Sequence, residues 1–107
     1  MIEITEKQFE AQVKDLAKLF GWKYYHTWQS IHSPAGFPDV VMVRPPRLIF
    51  AELKSEEGKV SLGQQEWLEI LKQCQKLILL NHTQTLMLPE VYLWRPSQIE
   101  EIAGILR

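Results

Sequence analysis

The charged residues Asp39, Glu52 and Lys54 form the part of the sequence best suited to chemistry. Asp39 follows Pro38, and Glu52-Leu53-Lys54 comes 13 residues after Asp39. Successive side chains of a strand point to opposite faces, so Glu52 and Lys54 would share a face, and a hairpin partner would bring Asp39 beside them. Glu52 also interrupts the apolar segment 48–53, where burial of an uncompensated carboxylate is costly. Glu52 therefore needs a partner.

Two interpretations of this pattern follow from the residues alone. In the first, Glu52 and Lys54 form an ordinary ion pair at a sheet edge, as charged residues two apart often do. In the second, the oxygens of Asp39 and Glu52 bind a hard divalent cation, while Lys54 contacts a water or a phosphate oxygen. The spacing by itself leaves both open.

Other polar residues are placed where they could join such a site. Glu6 and Glu10 lie at i, i+4 positions beside the apolar stripe of a predicted helix, where one could reach toward a metal, although two solvated carboxylates would also fit there. Gln64 lies on the inward face of a second predicted helix and either serves the helix cap or points into the site. Residues 33–38 form a stiff loop in which Gly36 permits a close backbone approach.

Three helices are predicted from capping-box patterns, in which a Ser or Thr is followed three residues later by Gln or Glu. The patterns are Thr5-Glu6-Lys7-Gln8, Ser61-Leu62-Gly63-Gln64 and Ser97-Gln98-Ile99-Glu100. The first helix is expected to end at Gly21 and the third near Arg107. The inner face of the second helix is expected to carry Trp67, Ile70, Leu71 and Cys74.

Strands are expected at residues 22–27, 39–43, 48–54 and 91–94. Pro45 and Pro46 lack N–H donors and cannot continue a strand, so the second and third strands should form a hairpin. Residues 76–88 are apolar but interrupted by Asn81-His82-Thr83, and could complete the second helix or supply a loop or an extra strand. The predicted element order is αβββαβα. Trp22, Trp67 and Trp94 are expected in the core.

The length of 107 residues predicts one domain spanning 1–107, because two separate cores would each be near the lower size limit for folding unaided. The single cysteine, Cys74, excludes an intramolecular disulfide and a cysteine zinc cluster, and we expect it to be a small buried residue. No apolar run approaches a membrane span, and the N-terminus lacks the pattern of a signal peptide. We therefore expect a soluble, cytoplasmic protein without membrane partners.

The charged and polar residues of these segments together resemble those of a known protein family. Glu10, Gly36-Phe37-Pro38-Asp39, Glu52-Leu53-Lys54 and Ser61-x-x-Gln64-x-x-Trp67 are similar to the motifs of the PD-(D/E)XK nuclease superfamily, and within it of the short, stand-alone VRR-NUC domain of phages and bacteria. The resemblance covers about residues 5–96. It implies an α/β, restriction-endonuclease-like core, with a central mixed sheet flanked by helices. It further implies Mg²⁺- or Mn²⁺-dependent hydrolysis of DNA phosphodiester bonds, in a homodimer similar to Holliday-junction resolvases.

The resemblance also implies roles for individual residues. Asp39 and Glu52 match the metal-binding acids, the backbone carbonyl of Leu53 would be a further ligand, and Lys54 matches the catalytic lysine. Glu10 matches the acidic or amide position of the N-terminal helix and would join the metal site, and Gln64 matches the glutamine after the strand. Substrate contacts are expected at five further positions: Glu6, Trp28, Ser30, Gly36 and Lys59. The segment 77–90 is longer than the corresponding connection in the family.

Alternative functions are a nuclease for flaps or splayed arms, or a DNA-binding module that keeps the fold without catalysis. The formal net charge of −1 does not exclude DNA. If Glu10, Asp39 and Glu52 face a bound cation, the rest of the chain carries −1 + 3 = +2. Basic residues would then be available for phosphates, namely Lys14, Lys18, Lys23, Arg44, Arg47, Lys59, Lys72 and Lys76.

Overall fold

A computed structural model describes residues 3–28 and 32–107 and contains a mixed sheet with helices on both faces. The elements in chain order are α1 (Glu6–Leu19), β1 (Lys23–His26), β2 (Val40–Arg44), β3 (Arg47–Leu53), α2 (Leu62–Gln73), β4 (Lys76–Leu79), β5 (Thr85–Leu88), β6 (Glu90–Trp94) and α3 (Ile99–Leu106). A 3₁₀ turn at Pro96–Gln98 leads into α3.

The first two capping boxes form as predicted. Thr5 and Gln8 exchange hydrogen bonds at the start of α1, since each backbone N–H donates to the side chain of the other. Ser61 and Gln64 do the same at the start of α2. Helix α1 is followed by Gly21, whose φ of +78° is a left-handed conformation that suits glycine. Local hydrogen bonding thus sets where both helices begin.

The main sheet has the strand order β1-β2-β3-β6. Strand β2 runs antiparallel to both β1 and β3, and the predicted β2–β3 hairpin is confirmed, with Arg44 opposite Arg47 at its turn. Helix α2 then carries the chain across the sheet, so that β6 lies parallel to β3. A second sheet consists of β4 and β5, so the segment left open at residues 76–88 contains two strands and the simple αβββαβα order is incomplete.

The sheet separates two layers of packing. One face of β3 carries Ile49, Ala51 and Leu53, which belong to the buried core together with residues of α1 and α3. The opposite face carries Phe50, whose ring contacts Phe37 edge-on at a centroid distance of 6.0 Å. Phe37 in turn contacts Trp67 of α2. Helices α1 and α3 therefore cover one face, and α2 covers the other.

Three local expectations are wrong. Cys74 is exposed at the end of α2 and is not a core residue, because the helix ends there and the chain turns into β4. Leu68 is the buried residue of α2, whereas Ile70 is exposed. The third capping box does not form, because the Ser97 hydroxyl and backbone N–H both donate to the carboxylate of Glu56, at 2.9 and 2.8 Å.

The two arginines flanking the prolines hold the hairpin against the C-terminal helix. Arg44 donates to the carbonyl of Leu106 at 3.0 Å and lies over the ring of Trp22. Arg47 forms a two-point ion pair with Glu90, at 2.8 and 2.7 Å, and its third nitrogen donates to the carbonyl of Ile105. Both guanidinium groups are therefore engaged within the fold, contrary to their expected availability for phosphates.

Trp22 and Trp94 are buried as expected, while Trp67 is only half-buried. Across the described ranges, 3–28 and 32–107, no helix has both the length and the apolar character needed to cross a membrane.

Candidate functional site

The β2–β3 pairing brings Asp39 and Glu52 together. Val40 is paired with Ala51, so the preceding and following residues, Asp39 and Glu52, meet on the opposite face of the sheet from that pair. The Asp39 carboxylate accepts a hydrogen bond from the backbone N–H of Leu53 at 2.9 Å, which fixes its position at the strand end. The arrangement anticipated from strand alternation is thus present.

Glu52 is unusually placed for a carboxylate. Its side chain is 1% exposed, and one oxygen, Oε2, has no hydrogen-bond partner within the described chain. The pKa of Glu52 is raised to about 9, mainly by burial and in part by the adjacent Asp39 carboxylate, which disfavours a second negative charge. The charge of Lys54 acts in the opposite direction. Without a bound cation, Glu52 is therefore a neutral acid at pH 7.

Gln64 combines the two roles left open by the sequence. Its amide oxygen accepts the backbone N–H of Ser61 at 2.9 Å, as the capping box requires. Its amide nitrogen donates to Oε1 of Glu52 at 3.2 Å. One side chain therefore links the start of α2 to the buried carboxyl and fixes the orientation of Glu52.

The two glutamates of α1 have different surroundings. Glu10 contacts His26 of β1, with 3.2 Å between Oε1 and Nε2. Glu6 is exposed at the helix start, and its charge contributes to the raised pKa of Glu52. Glu10 is thus engaged by a histidine of β1, and Glu6 acts on Glu52 through space.

Tyr24 was not identified from the sequence. Its hydroxyl is buried and has no hydrogen-bond partner among residues 3–28 and 32–107. Burial raises its pKa above the usual range, and the charges of Glu10 and Asp39 raise it further. Strand alternation in β1, which points Tyr24 toward α1, was the available signal. Tyr24 and Glu52 each have a buried oxygen without a hydrogen-bond partner in the described residues, and the charge of Asp39 contributes to the raised pKa of both. A buried oxygen of this kind is expected to bind an ion or a water molecule.

Lys54 follows β3 directly, and its backbone N–H donates to the carbonyl of Trp94 at 3.0 Å. The side chain is half-buried and forms no salt bridge in the described part of the chain. The simple ion pair between Glu52 and Lys54 is therefore absent from this part, although the ammonium charge still favours ionisation of Glu52.

The groups of this site that could bind a cation are mainly oxygens. Within the two described ranges there is no group of three or more His, Cys, Asp or Glu side chains placed to hold a metal ion. Asp39 and Glu52 provide two carboxylates, and the carbonyl of Leu53 follows them along β3. Mg²⁺ is commonly held by one or two carboxylates while waters and substrate phosphates complete its coordination. Such a set suits a partly open cation site.

A cavity of about 720 Å³ lies beside the acidic pair, on the α2 face of the sheet. We call it the aromatic pocket; its lining consists of Tyr25, Thr27, Trp28, Ser33, Pro34, Ala35, Gly36, Phe37, Asp39, Gln64 and Trp67. Gly36 has a φ of +99°, and a Cβ there would lie 2.5 Å from the backbone carbon of Gly63. This glycine therefore allows the loop to rest against the start of α2.

The remaining predicted substrate residues are dispersed. Trp28 and Gly36 line the aromatic pocket. Lys59 is exposed in the connection between β3 and α2. Ser30 lies outside the described residues.

Comparisons of the chain with models of known families, with curated proteins and with solved structures find no match.

Proposed function

We propose that this protein is a divalent-cation-dependent DNA endonuclease that hydrolyses phosphodiester bonds. Its active site would consist of Asp39, Glu52 and Lys54. The observation that carries the proposal is the Glu52 carboxyl, which is buried beside a second carboxylate with one oxygen unsatisfied in the described chain. A purely structural glutamate would be expected to pair with a cationic side chain, as Glu90 does with Arg47. A carboxylate pair with an unsatisfied oxygen is instead suited to a cation.

The residues fit Mg²⁺ or Mn²⁺, with Asp39, Glu52 and the Leu53 carbonyl as ligands. When bound, such a cation would lower the pKa of a coordinated water and neutralise charge on the scissile phosphate. Glu52 must give up its proton to become a ligand. Gln64 holds its other oxygen in place during that change.

The protein residues supply positioning and charge. Lys54 emerges from β3 next to the acidic pair, where its ammonium can hold a phosphate oxygen or orient the attacking hydroxide. The Leu53 N–H holds the Asp39 carboxylate at the strand end. Glu10, held by His26, is the α1 acid that the family resemblance adds to the metal site.

The finer assignment of the fold is also part of the proposal. An antiparallel hairpin, a helical crossover and a parallel fourth strand, with acids where β2 begins and β3 ends, support a restriction-endonuclease-like core. The proposed substrate is branched DNA such as a Holliday junction.

A homodimer would place two such sites on one junction. The β4–β5 hairpin supports it, because Leu77 and Leu79 project from one face, are 64% and 69% exposed, and lie next to the exposed Met87. A two-stranded sheet is only marginally stable in water, and a large exposed apolar patch is typical of an interaction surface. We assign this face to the hairpin of a second copy.

The test of catalysis is cleavage of end-labelled junctions, flaps and splayed arms in Mg²⁺, in Mn²⁺ and in EDTA. Asp39→Ala and Lys54→Ala should abolish cleavage while preserving the fold and most DNA binding, whereas Lys7→Ala, an exposed lysine of α1, serves as the matched control. Full activity of Lys54→Ala, or cleavage in EDTA, would refute the mechanism. Tight DNA binding without cleavage under any condition would favour the catalytically silent module.

The dimer is tested by solution mass. Wild-type protein should have twice the mass of one chain, and Leu77→Lys combined with Leu79→Lys should give the single-chain mass with an unchanged circular dichroism spectrum. Leu62→Lys, at a still more exposed leucine on α2, is the control and should remain dimeric. A monomeric wild-type protein would rule out the dimer without affecting the proposed catalysis.

A further inference from the structure

The aromatic pocket has a rigid inner wall. Phe37 packs edge-on against Trp67, with ring centroids 5.0 Å apart and an interplanar angle of 80°. The ring of Phe37 also meets Phe50 of β3 at 90°. These two contacts join the loop, α2 and the sheet, so the inner wall is fixed by packing on three sides.

The outer wall consists of aromatic rings that are exposed. Trp28 is 82% exposed and Tyr25 is 60% exposed, although both line the same cavity. Tyr25 is paired with Val41 in the sheet and therefore projects on the α2 side. Large aromatic rings left open to water at the mouth of a cavity favour a ligand with a flat apolar face.

Three polar side chains of the pocket are already engaged within the protein. The Thr27 hydroxyl donates to the carbonyl of Pro38 at 2.7 Å, and the Gln64 amide spans Ser61 and Glu52. Asp39 holds the backbone N–H of Leu53. Recognition in this pocket would therefore come from stacking, with little hydrogen-bond readout of the ligand's edge.

The charge of the pocket lining disfavours a phosphate within the cavity. Its lining, as far as the structure describes it, contains no lysine or arginine, and Asp39 is its ionisable carboxylate. A planar, uncharged ring meets the requirements of shape and charge. The volume of about 720 Å³ lies within the range of about 300–1,000 Å³ that is typical of small-molecule pockets.

We infer that the aromatic pocket binds one unpaired nucleobase of the DNA strand whose phosphate lies at Asp39 and Glu52, stacking it against Trp28 and Tyr25. This inference rests on the proposed nuclease function. Because Asp39 belongs to both the pocket and the acidic pair, a base in the pocket lies next to the scissile phosphate. A base within an intact duplex could not enter the cavity, so cleavage is directed to strands with an unstacked nucleotide. Stacking is sequence-tolerant, so selection would depend on DNA structure and not on base identity.

The test uses a short single strand carrying one 2-aminopurine, titrated in Mg²⁺ with protein in the Lys54→Ala background. Its fluorescence should be quenched on binding, and Trp28→Ala should weaken the affinity roughly 5- to 100-fold, the effect of losing one stacked base. Trp28→Phe should retain most of the affinity, because it keeps a stacking ring. Replacing the 2-aminopurine by an abasic site should weaken wild-type binding to a similar degree.

Leu19→Ala, an exposed leucine at the end of α1, is the control and should leave binding unchanged. Equal affinity of Trp28→Ala and its parent, or unchanged binding of the abasic strand, would overturn the inference. The outcome is separable from that of the proposed function. Cleavage by wild-type protein without quenching refutes only the pocket assignment, whereas quenching without any cleavage refutes only the nuclease.

Discussion

Replacing Glu52 by glutamine should stabilise the metal-free protein. The carboxyl is protonated in the folded state because its pKa is raised to about 9, whereas in the unfolded chain its pKa is near 4.5. Glu52 therefore stabilises the fold fully below pH 4.5 and loses that contribution as the pH rises toward 9. Glu52→Gln keeps the shape of the side chain but cannot ionise, so this loss should disappear in the variant.

The magnitude follows from the separation of the two pKa values. Each pH unit between them removes about 1.4 kcal/mol from the free energy of unfolding. At pH 7 the cumulative loss is about 3 kcal/mol, a large fraction of the about 5–15 kcal/mol that stabilises a typical domain. We therefore expect Glu52→Gln to match the wild type within about 1 kcal/mol at pH 5 and to exceed it by about 3 kcal/mol at pH 7.

The assay is urea denaturation followed by tryptophan fluorescence at pH 5, 7 and 8 in EDTA. Glu57→Gln, at an exposed glutamate, is the control and should change the free energy of unfolding by less than about 0.5 kcal/mol at every pH. A second series with Mg²⁺ should stabilise the wild type and leave Glu52→Gln unaffected. A Glu52→Gln variant that is less stable than the wild type at pH 8, or a difference independent of pH, would refute the reasoning.

Three further predictions concern the cation, the pocket loop and the arginine contacts. Below pH 9 the affinity for Mn²⁺ should fall by up to about tenfold for each pH unit, because Glu52 must release its proton to bind the cation. Calorimetry in two buffers of different ionisation enthalpy should show this proton release, and its absence would contradict the role of Glu52 as a ligand. Gly36→Ala should lower the free energy of unfolding, measured by thermal denaturation, on the order of 1–3 kcal/mol, because residue 36 has a positive φ and an added Cβ would meet Gly63. The control, Gly104→Ala in α3, has open space around it and should be neutral or stabilising. Arg47→Ala should lower the free energy of unfolding by about 3–5 kcal/mol, because it leaves Glu90 buried without its cation; a loss below about 1 kcal/mol would show that the pair contributes little.

The sequence predicted the features that depend on neighbouring residues. The helix starts at Thr5 and Ser61 follow from hydrogen bonds that span three residues, and the β2–β3 hairpin follows from the two prolines at its turn. The meeting of Asp39 and Glu52 was predictable for the same reason, because strand alternation and a short hairpin determine the register over a few residues.

The expectations that were wrong involve competition between distant groups. Ser97 has a capping-box pattern, but its hydroxyl and N–H bind Glu56, about 40 residues earlier in the sequence. Cys74 is apolar, but it lies at the surface just after α2, where the chain turns toward β4. Arg44 and Arg47 were expected to be available for phosphates, but the backbone carbonyls at the end of α3 and the carboxylate of Glu90 engage them.

The sequence by itself determined the element types over most of the chain and the pairing of two acids beside a lysine. The tertiary structure decided the environment of these two acids. It buries Glu52 and leaves one of its oxygens unsatisfied in the described chain, and it keeps the Lys54 ammonium beyond ion-pairing distance of Glu52. It also decided the aromatic pocket, whose walls come from three separated segments. The physical reason is that local hydrogen bonds and side-chain alternation act over a few residues, whereas burial and desolvation depend on which distant elements pack together.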